Sequence, residues 1–283
     1  MDAGNSLDLK RYPVDRPESA PFAALLRDLR ADLERQGCAR LEGFVKPAAC
    51  EAIKLEVDRV ARFAHRSFNE VNPYFTADDP ALPAGHPRRR FERRSNAFVP
   101  ADNFGADSVL RAIYQWQPFT DFIRMALGEE QGSFYRYDDP LADVIINLVE
   151  PGDGFPWHFD TNTYTVTLGI HPGDAGGIFQ FCPNLRSEGD ENYPGVAAVL
   201  DGDRSAVRSL RLNPGDLQIF LGRYSLHRVT AVEGAAPRYV GIFSYADEPG
   251  MCGRVERTRQ LYGRVLPLHL EREALRRGDS LAD

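Results

Sequence analysis

The sequence predicts a mainly β protein with flanking helices, in which an N-terminal helical face packs on a jelly-roll core. Three observations carry that expectation. Apolar residues recur at three- and four-residue spacing through much of the first part of the chain, the period of amphipathic helices. After Gly132 the pattern changes to eight short runs bounded by Gly, Pro, Asn or Asp, which read as the strands of a sandwich or barrel. The 283 residues hold no internal repeat, and an all-β fold of roughly 200–250 residues is commonly one domain. The expected organisation is a single domain over 1–283: a helical part and loop at 1–130, a jelly-roll core at 131–250, and a C-terminal helix and tail at 251–283.

Residues 1–17 read as an extended arm. In 21–36, Phe22, Leu25, Leu26, Leu29 and Leu33 mark one helix face, and Gly37 is placed to cap its end. A short strand is expected at 38–45 and a helix at 47–65, with Pro47 at its first turn. From 67 to 103, Pro73, Pro80, Pro83, Pro87 and Pro100 argue for a long irregular segment of the kind that carries function. A helix over 106–127 follows, ended by Gly128. Strands are expected at 133–137, 143–150, 163–170, 177–181, 209–212, 216–221, 226–232 and 238–245, and a last helix at 253–263.

Composition narrows the function classes. Hydrophobic residues at 43% and charged residues at 27% are ordinary for a globular chain and exclude global disorder. With 34 basic and 41 acidic residues, a net charge of −7 argues against a general nucleic-acid binder. No apolar run reaches the length of a membrane span, and the polar first residues give no expectation of a signal peptide. Cys38, Cys50, Cys182 and Cys252 form no C-x-x-C pair, as expected of free thiols in a reducing cytoplasm. The expected partner is a small-molecule substrate, with no nucleic acid and no membrane; the sequence gives no signal for an oligomeric state.

The chemistry centres on Phe155-Pro156-Trp157-His158-Phe159-Asp160. An imidazole and a carboxylate two residues apart at a strand end reach one ion from the same side. His171 precedes a Pro-Gly turn, and His65 and His86 lie outside the β region, so the third ligand expected is His227, beyond the turn Asn213-Pro214-Gly215-Asp216. Two histidines and one carboxylate leave open positions on the metal, the facial triad of non-haem Fe(II) oxygenases. Arg238 follows eleven residues later. Strand alternation puts Arg238, Val240, Ile242 and Ser244 on one face, and an inward Arg needs an anion. A dicarboxylate that chelates the metal and pairs with a guanidinium fork meets both needs. A zinc hydrolase would leave Arg238 without a purpose.

On these residues the chain resembles the Fe(II)/2-oxoglutarate-dependent oxygenase superfamily, whose signature is H-x-D…H followed by an Arg. The resemblance covers roughly 130–250 and extends to Gly176-Gly177-Ile178-Phe179 and to Leu212–Leu217 before the second histidine. It implies a double-stranded β-helix, cupin-like core, Fe(II) held by His158, Asp160 and His227, 2-oxoglutarate paired with Arg238, and O2 as the other co-substrate. The length, N-terminal helices and motif spacing are similar to those of the BesD-type group that acts on free amino acids. Its radical halogenases carry Gly in place of the metal-binding acid; since Asp160 is present, the resemblance implies a hydroxylase and disfavours a halogenase.

Other candidate site residues follow. Asn147 is an amide in an apolar strand and needs partners; it and Thr167 are candidates for the co-substrate. Thr161 and Trp157 flank the motif, and Ile242 and Ser244 line the expected lumen; all four are candidates for the substrate. Five arginines crowd 88–94. In the BesD-type group a basic residue before the barrel pairs with the substrate carboxylate, and Arg93 or Arg94 stands at a comparable place. Asp143 or Asp139 is the candidate for an α-ammonium group. The same scaffold also serves desaturation, epimerisation or cyclisation, and a non-catalytic cupin-like metal- or ligand-binding protein is the reading from another class.

Overall fold

The computed structural model describes residues 3–67 and 69–275. The N-terminal arm is tied down rather than loose. It opens on a helical turn, Ala3–Ser6, buries Leu7, Tyr12 and Val14, and donates the Tyr12 hydroxyl to the Glu42 carbonyl at 2.8 Å.

Among the described residues seven α-helices follow: α1 (Ala20–Gln36), α2 (Pro47–Val60), α3 (Val109–Gln115), α4 (Gln117–Leu127), α5 (Tyr193–Leu200), α6 (Val255–Tyr262) and α7 (Pro267–Leu275). The Ser19 hydroxyl caps α1 by accepting from Phe22 N–H. At its other end Gly37 takes the left-handed conformation, φ 62°, and returns its N–H to Leu33, a turn that costs a residue with a Cβ more than glycine. The helix expected over 106–127 is two helices. Trp116 is extended between them, because Pro118 has no N–H to continue the ladder and its ring collides with the preceding turn.

The strands that build the sandwich are β1 (Cys38–Leu41), β2 (His65–Arg66), β3 (Ala97–Val99), β4 (Val144–Val149), β5 (Phe155–His158), β6 (Thr165–Pro172), β7 (Phe179–Cys182), β8 (Arg208–Leu210), β9 (Leu217–Phe220), β10 (Leu226–Val229) and β11 (Arg238–Phe243). The larger sheet runs β1-β9-β6-β11-β4-β3-β2 and the smaller β8-β7-β10-β5. This is the mainly β, helix-flanked jelly roll. The helical part and the core are not separate along the chain, however. Strands β1, β2 and β3 come from the first hundred residues and extend the larger sheet; β2 and β3 lie in or beside the segment expected to be irregular. Val99 and its neighbours supply the β-branched and aromatic residues a strand favours.

Side-chain alternation in the larger sheet separates core from cavity. Ile146 and Leu148, Val166 and Leu168, Leu217 and Ile219, and Tyr239 and Phe243 pack in the main core with residues of α1–α4. Their alternates Asn147, Thr165, Thr167, Gln218, Phe220, Arg238, Val240 and Ile242 line the space between the sheets. None of the described helices is long and apolar enough to cross a membrane.

Candidate metal centre and its cavity

Antiparallel pairing of β10 with β5 sets His227 opposite His158, with their rings 4.1 Å apart. Asp160 follows β5 by two residues and turns its Oδ1 toward both, 3.7 Å from His158 Nε2 and 3.4 Å from His227 Nε2. Three ligand atoms of these residues fall within 4.8 Å of one another. His158 Nδ1 lies 2.8 Å from the Pro156 carbonyl and His227 Nδ1 2.9 Å from the Ser225 carbonyl. A carbonyl only accepts, so each Nδ1 carries its proton and each Nε2 offers its lone pair to the centre, the arrangement that orients metal-binding histidines.

The electrostatics match. Burial and the neighbouring His227 push His158 well below its ordinary pKa, so it stands neutral. Burial raises the Asp160 carboxyl, but the two imidazoles and the Thr165 hydroxyl, which donates to Oδ2 at 2.7 Å, outweigh it and hold the acid below the usual carboxylate range. A lone-pair pair and an ionised carboxylate are what a divalent cation requires. Space is reserved as well: a Cβ at Gly222 would overlap the Asp160 carboxylate.

The centre opens into a cavity of about 170 Å³ between the sheets. At one side Arg238 is buried with no ion-pair partner among the described residues. Burial, helped by Arg211, lowers its pKa to about 10. Register places it against Val149 and Pro172 in the two neighbouring strands. Gly177, at φ 58°, lets it lie there, since a Cβ would come 3.0 Å from Arg238 Cδ. Asn147 lines the same cavity and its side-chain oxygen is buried without a partner. The Thr167 hydroxyl donates to Gln218 at 3.0 Å.

The other side is basic and aromatic. In the strand Glu92–Arg94, alternation resolves the two arginine candidates: Arg93 is exposed and Arg94 is 1% exposed. Arg94 lies over the rings of Phe155 and Phe98, at 4.8 and 5.4 Å, and donates Nε to Asn96. Its Nη1 is buried with no partner. Burial, with Arg257 adding to it, lowers its pKa to about 9. Phe75, held at φ 54°, packs on His158 at 5.4 Å; a non-glycine residue keeps that backbone only when its surroundings impose it.

Several expected residues stand elsewhere. Asp143 pairs with Arg111 at 3.0 Å and caps Val144 N–H. Asp139 is fully buried against His269, at 3.0 Å. Neither lines the cavity. Trp157 alternates away from His158 into a cluster with Val196, Val199 and Leu226. Ser244 lies past the end of β11, where its carbonyl accepts the Tyr114 hydroxyl. Thr161, Thr167 and Ile242 do line the cavity. The reading of the sequence missed Arg257 and Leu261, which reach the cavity from α6. Their spacing of four residues on an expected helix was the one signal for a shared face.

A family model described as Halogenase D matches residues 22–262. No curated protein sequence matches the chain. Among solved structures, the carbocyclase SnoK from nogalamycin biosynthesis is 13% identical with a TM-score of 0.54, over 80% of this chain and 87% of that one. The epimerase SnoN, solved with Fe3+, alpha-ketoglutarate and nogalamycin RO, is 16% identical with a TM-score of 0.52, over 80% and 84%. A 2OG-Fe(II) oxygenase family protein from Burkholderia pseudomallei is 13% identical with a TM-score of 0.51, over 80% and 92%. At these identities the likeness to the solved structures is one of fold.

Proposed function

The chain belongs to the Halogenase D family, and from that premise we propose that it is a non-haem Fe(II)- and 2-oxoglutarate-dependent oxygenase that hydroxylates an unactivated C–H bond of a small polar metabolite, an amino acid or close derivative. The observation that carries the reading is the pairing of one convergent donor set, His158, Asp160 and His227, with an unpaired buried Arg238 in the same cavity. The donor set fits Fe(II), and the guanidinium fits the free carboxylate of a chelating 2-oxo diacid. Iron and 2-oxoglutarate, when bound, would activate O2, the oxidant, for attack on a C–H bond, with 2-oxoglutarate oxidised to succinate and CO2. The chain's own residues do the rest. His158 and His227 hold fixed tautomers toward the ion, and Thr165 fixes the Asp160 carboxylate. Arg238 anchors the co-substrate, with Asn147 and Thr167 beside it. Phe75, Phe98 and Phe155 keep water from the reacting bond. Arg94 takes the acid group of the substrate.

Hydroxylation rather than halogenation is supported by Asp160. A halogenating centre of this family type needs the acid's position free for a halide, whereas here Gly222 makes room for the carboxylate.

The test is anaerobic addition of Fe(II) and 2-oxoglutarate to metal-free protein. A visible charge-transfer band is expected, followed in air by succinate formation. A protein that gave no band, yet turned over with zinc, would be a hydrolase and the reading would fall.

A further inference from the structure

Resting on the oxygenase reading, we infer that the cavity selects a substrate bearing two negative charges, held between Arg94 and Arg257. The argument is one of charge balance. Bound Fe(II), the Asp160 carboxylate, doubly charged 2-oxoglutarate and Arg238 cancel. Arg94 and Arg257 are left over. Among the described residues that line the cavity Asp160 is the single carboxylate, and it is committed to the donor set with the two imidazoles, its Oδ2 accepting from Thr165. Neither arginine has an ion pair among the described residues. Arg94 keeps a buried Nη1 with no partner, and its Nε meets only the neutral Asn96. Arg257 meets the neutral Gln260 at 2.8 Å and lies 5.7 Å over the Phe75 ring. Two cations of like sign sharing one partly dry cavity repel each other and are tolerated there when an anion completes the site.

A single carboxylate would satisfy one of them. Two anionic groups, or one doubly charged one, meet both: the two carboxylates of an acidic amino acid, whose ammonium leaves it a net charge of −1, another dicarboxylate, or a phosphate monoester. The placement of the aspartates points the same way. Asp143 and Asp139 are spent on Arg111 and His269 outside the cavity, so neither offsets the charge of the two arginines there. Arg257 is thus a specificity-determining residue, supplied by a helix outside the β core.

Two measurements test this. The first uses sodium sulfate as a divalent probe on metal-free protein, against sodium chloride at equal ionic strength. Thermal midpoints are recorded for the wild type, Arg94→Gln, Arg257→Gln and Arg257→Lys. Loss of one charge-assisted contact weakens binding about ten- to hundredfold. Sulfate should therefore protect the wild type at about tenfold lower concentration than either Gln variant, with Arg257→Lys in between. Equal sulfate dependence in all four proteins overturns the proposal. The general salting effect of sulfate and any binding at Arg238 are common to all and drop out of the comparison.

The second measurement uses the protein loaded anaerobically with Fe(II) and 2-oxoglutarate. L-aspartate and L-glutamate are titrated against their monoamides L-asparagine and L-glutamine, which keep size and lose one charge. Each acid should perturb the charge-transfer band at lower concentration than its amide, and Arg257→Gln should erase the difference while the band itself persists. A monoamide that binds as well as its acid in the wild type overturns the proposal. A wild type that gives no band but shows the sulfate effect instead overturns the oxygenase reading and leaves the anion site standing.

Discussion

Gly222 shows how one missing side chain decides the chemistry of its neighbour. Its backbone carbonyl accepts the Asp160 N–H at 3.0 Å, so strand and carboxylate approach closely and a methyl group has nowhere to go. Gly222→Ala should displace Asp160 and weaken Fe(II) binding about ten- to hundredfold, the effect of disturbing a ligand's support. Metal titration would show this, with far-UV circular dichroism unchanged. Asp160→Ala and His227→Ala should abolish 2-oxoglutarate consumption in a protein that still folds; near-normal consumption by either would remove these residues from the centre. For Arg238→Ala the expectation is a 2-oxoglutarate requirement raised about ten- to hundredfold, since a charge-assisted bond to a buried carboxylate contributes roughly 1.5–3 kcal/mol. An unchanged KM for 2-oxoglutarate would move the anchor to another arginine, Arg211 first.

At the scale of elements, the two C-terminal helices are fastened to the barrel by a buried acid. Asp139 accepts from Leu141 N–H and Gly253 N–H, each at 2.9 Å, and meets His269 Nε2 at 3.0 Å, while Leu266 N–H donates to His269 Nδ1. That clasp ties the approach to β4 to the segments around α6, which carries Arg257. His269→Ala should leave Asp139 under-satisfied and cost about 1–3 kcal/mol, read as a lower urea midpoint. The KM for 2-oxoglutarate should hold, because Arg238 and the metal donors stand on other strands. The same acid shows where sequence reasoning stops. Asp139 and Asp143 precede a strand that lines the cavity, but nearness along the chain does not say which way a carboxylate turns. Strand alternation did tell Arg238, Val240 and Ile242 from their neighbours, because the period is fixed by the pleat, and the same rule separates Arg94 from Arg93. Helix α5 escaped notice because eight residues containing Pro194 and Gly195 hold too few turns for a periodic signal. Arg257 escaped because its role depends on how α6 packs, and only tertiary contacts fix that.

For the molecule as a whole, stability and ligand occupancy are linked. Among the described residues, three buried or half-buried guanidinium groups face one cavity with a single carboxylate, so anions that fill it should stabilise the fold. Fe(II) with 2-oxoglutarate at about a hundred times its dissociation constant should add about 2.7 kcal/mol. For a chain of this size that is roughly 5–10 °C in thermal midpoint. Chelation of the metal should lower the midpoint without unfolding the chain, because packing of the main core does not pass through the donor set; unfolding on chelation would make the metal structural. The strand order of the larger sheet has a practical outcome for anyone trimming this chain. The motif-bearing stretch, 131–250, looks like a self-sufficient fragment, but cutting away the first hundred residues would strip β1 from β9 and β3 from β4. Leu217–Phe220 and Val144–Val149 would then be bare, apolar margins, the kind of surface on which chains stack into aggregates. A minimal folded fragment must therefore keep Cys38–Leu41 and Ala97–Val99, and the apparent border near residue 130 is no place to divide the chain.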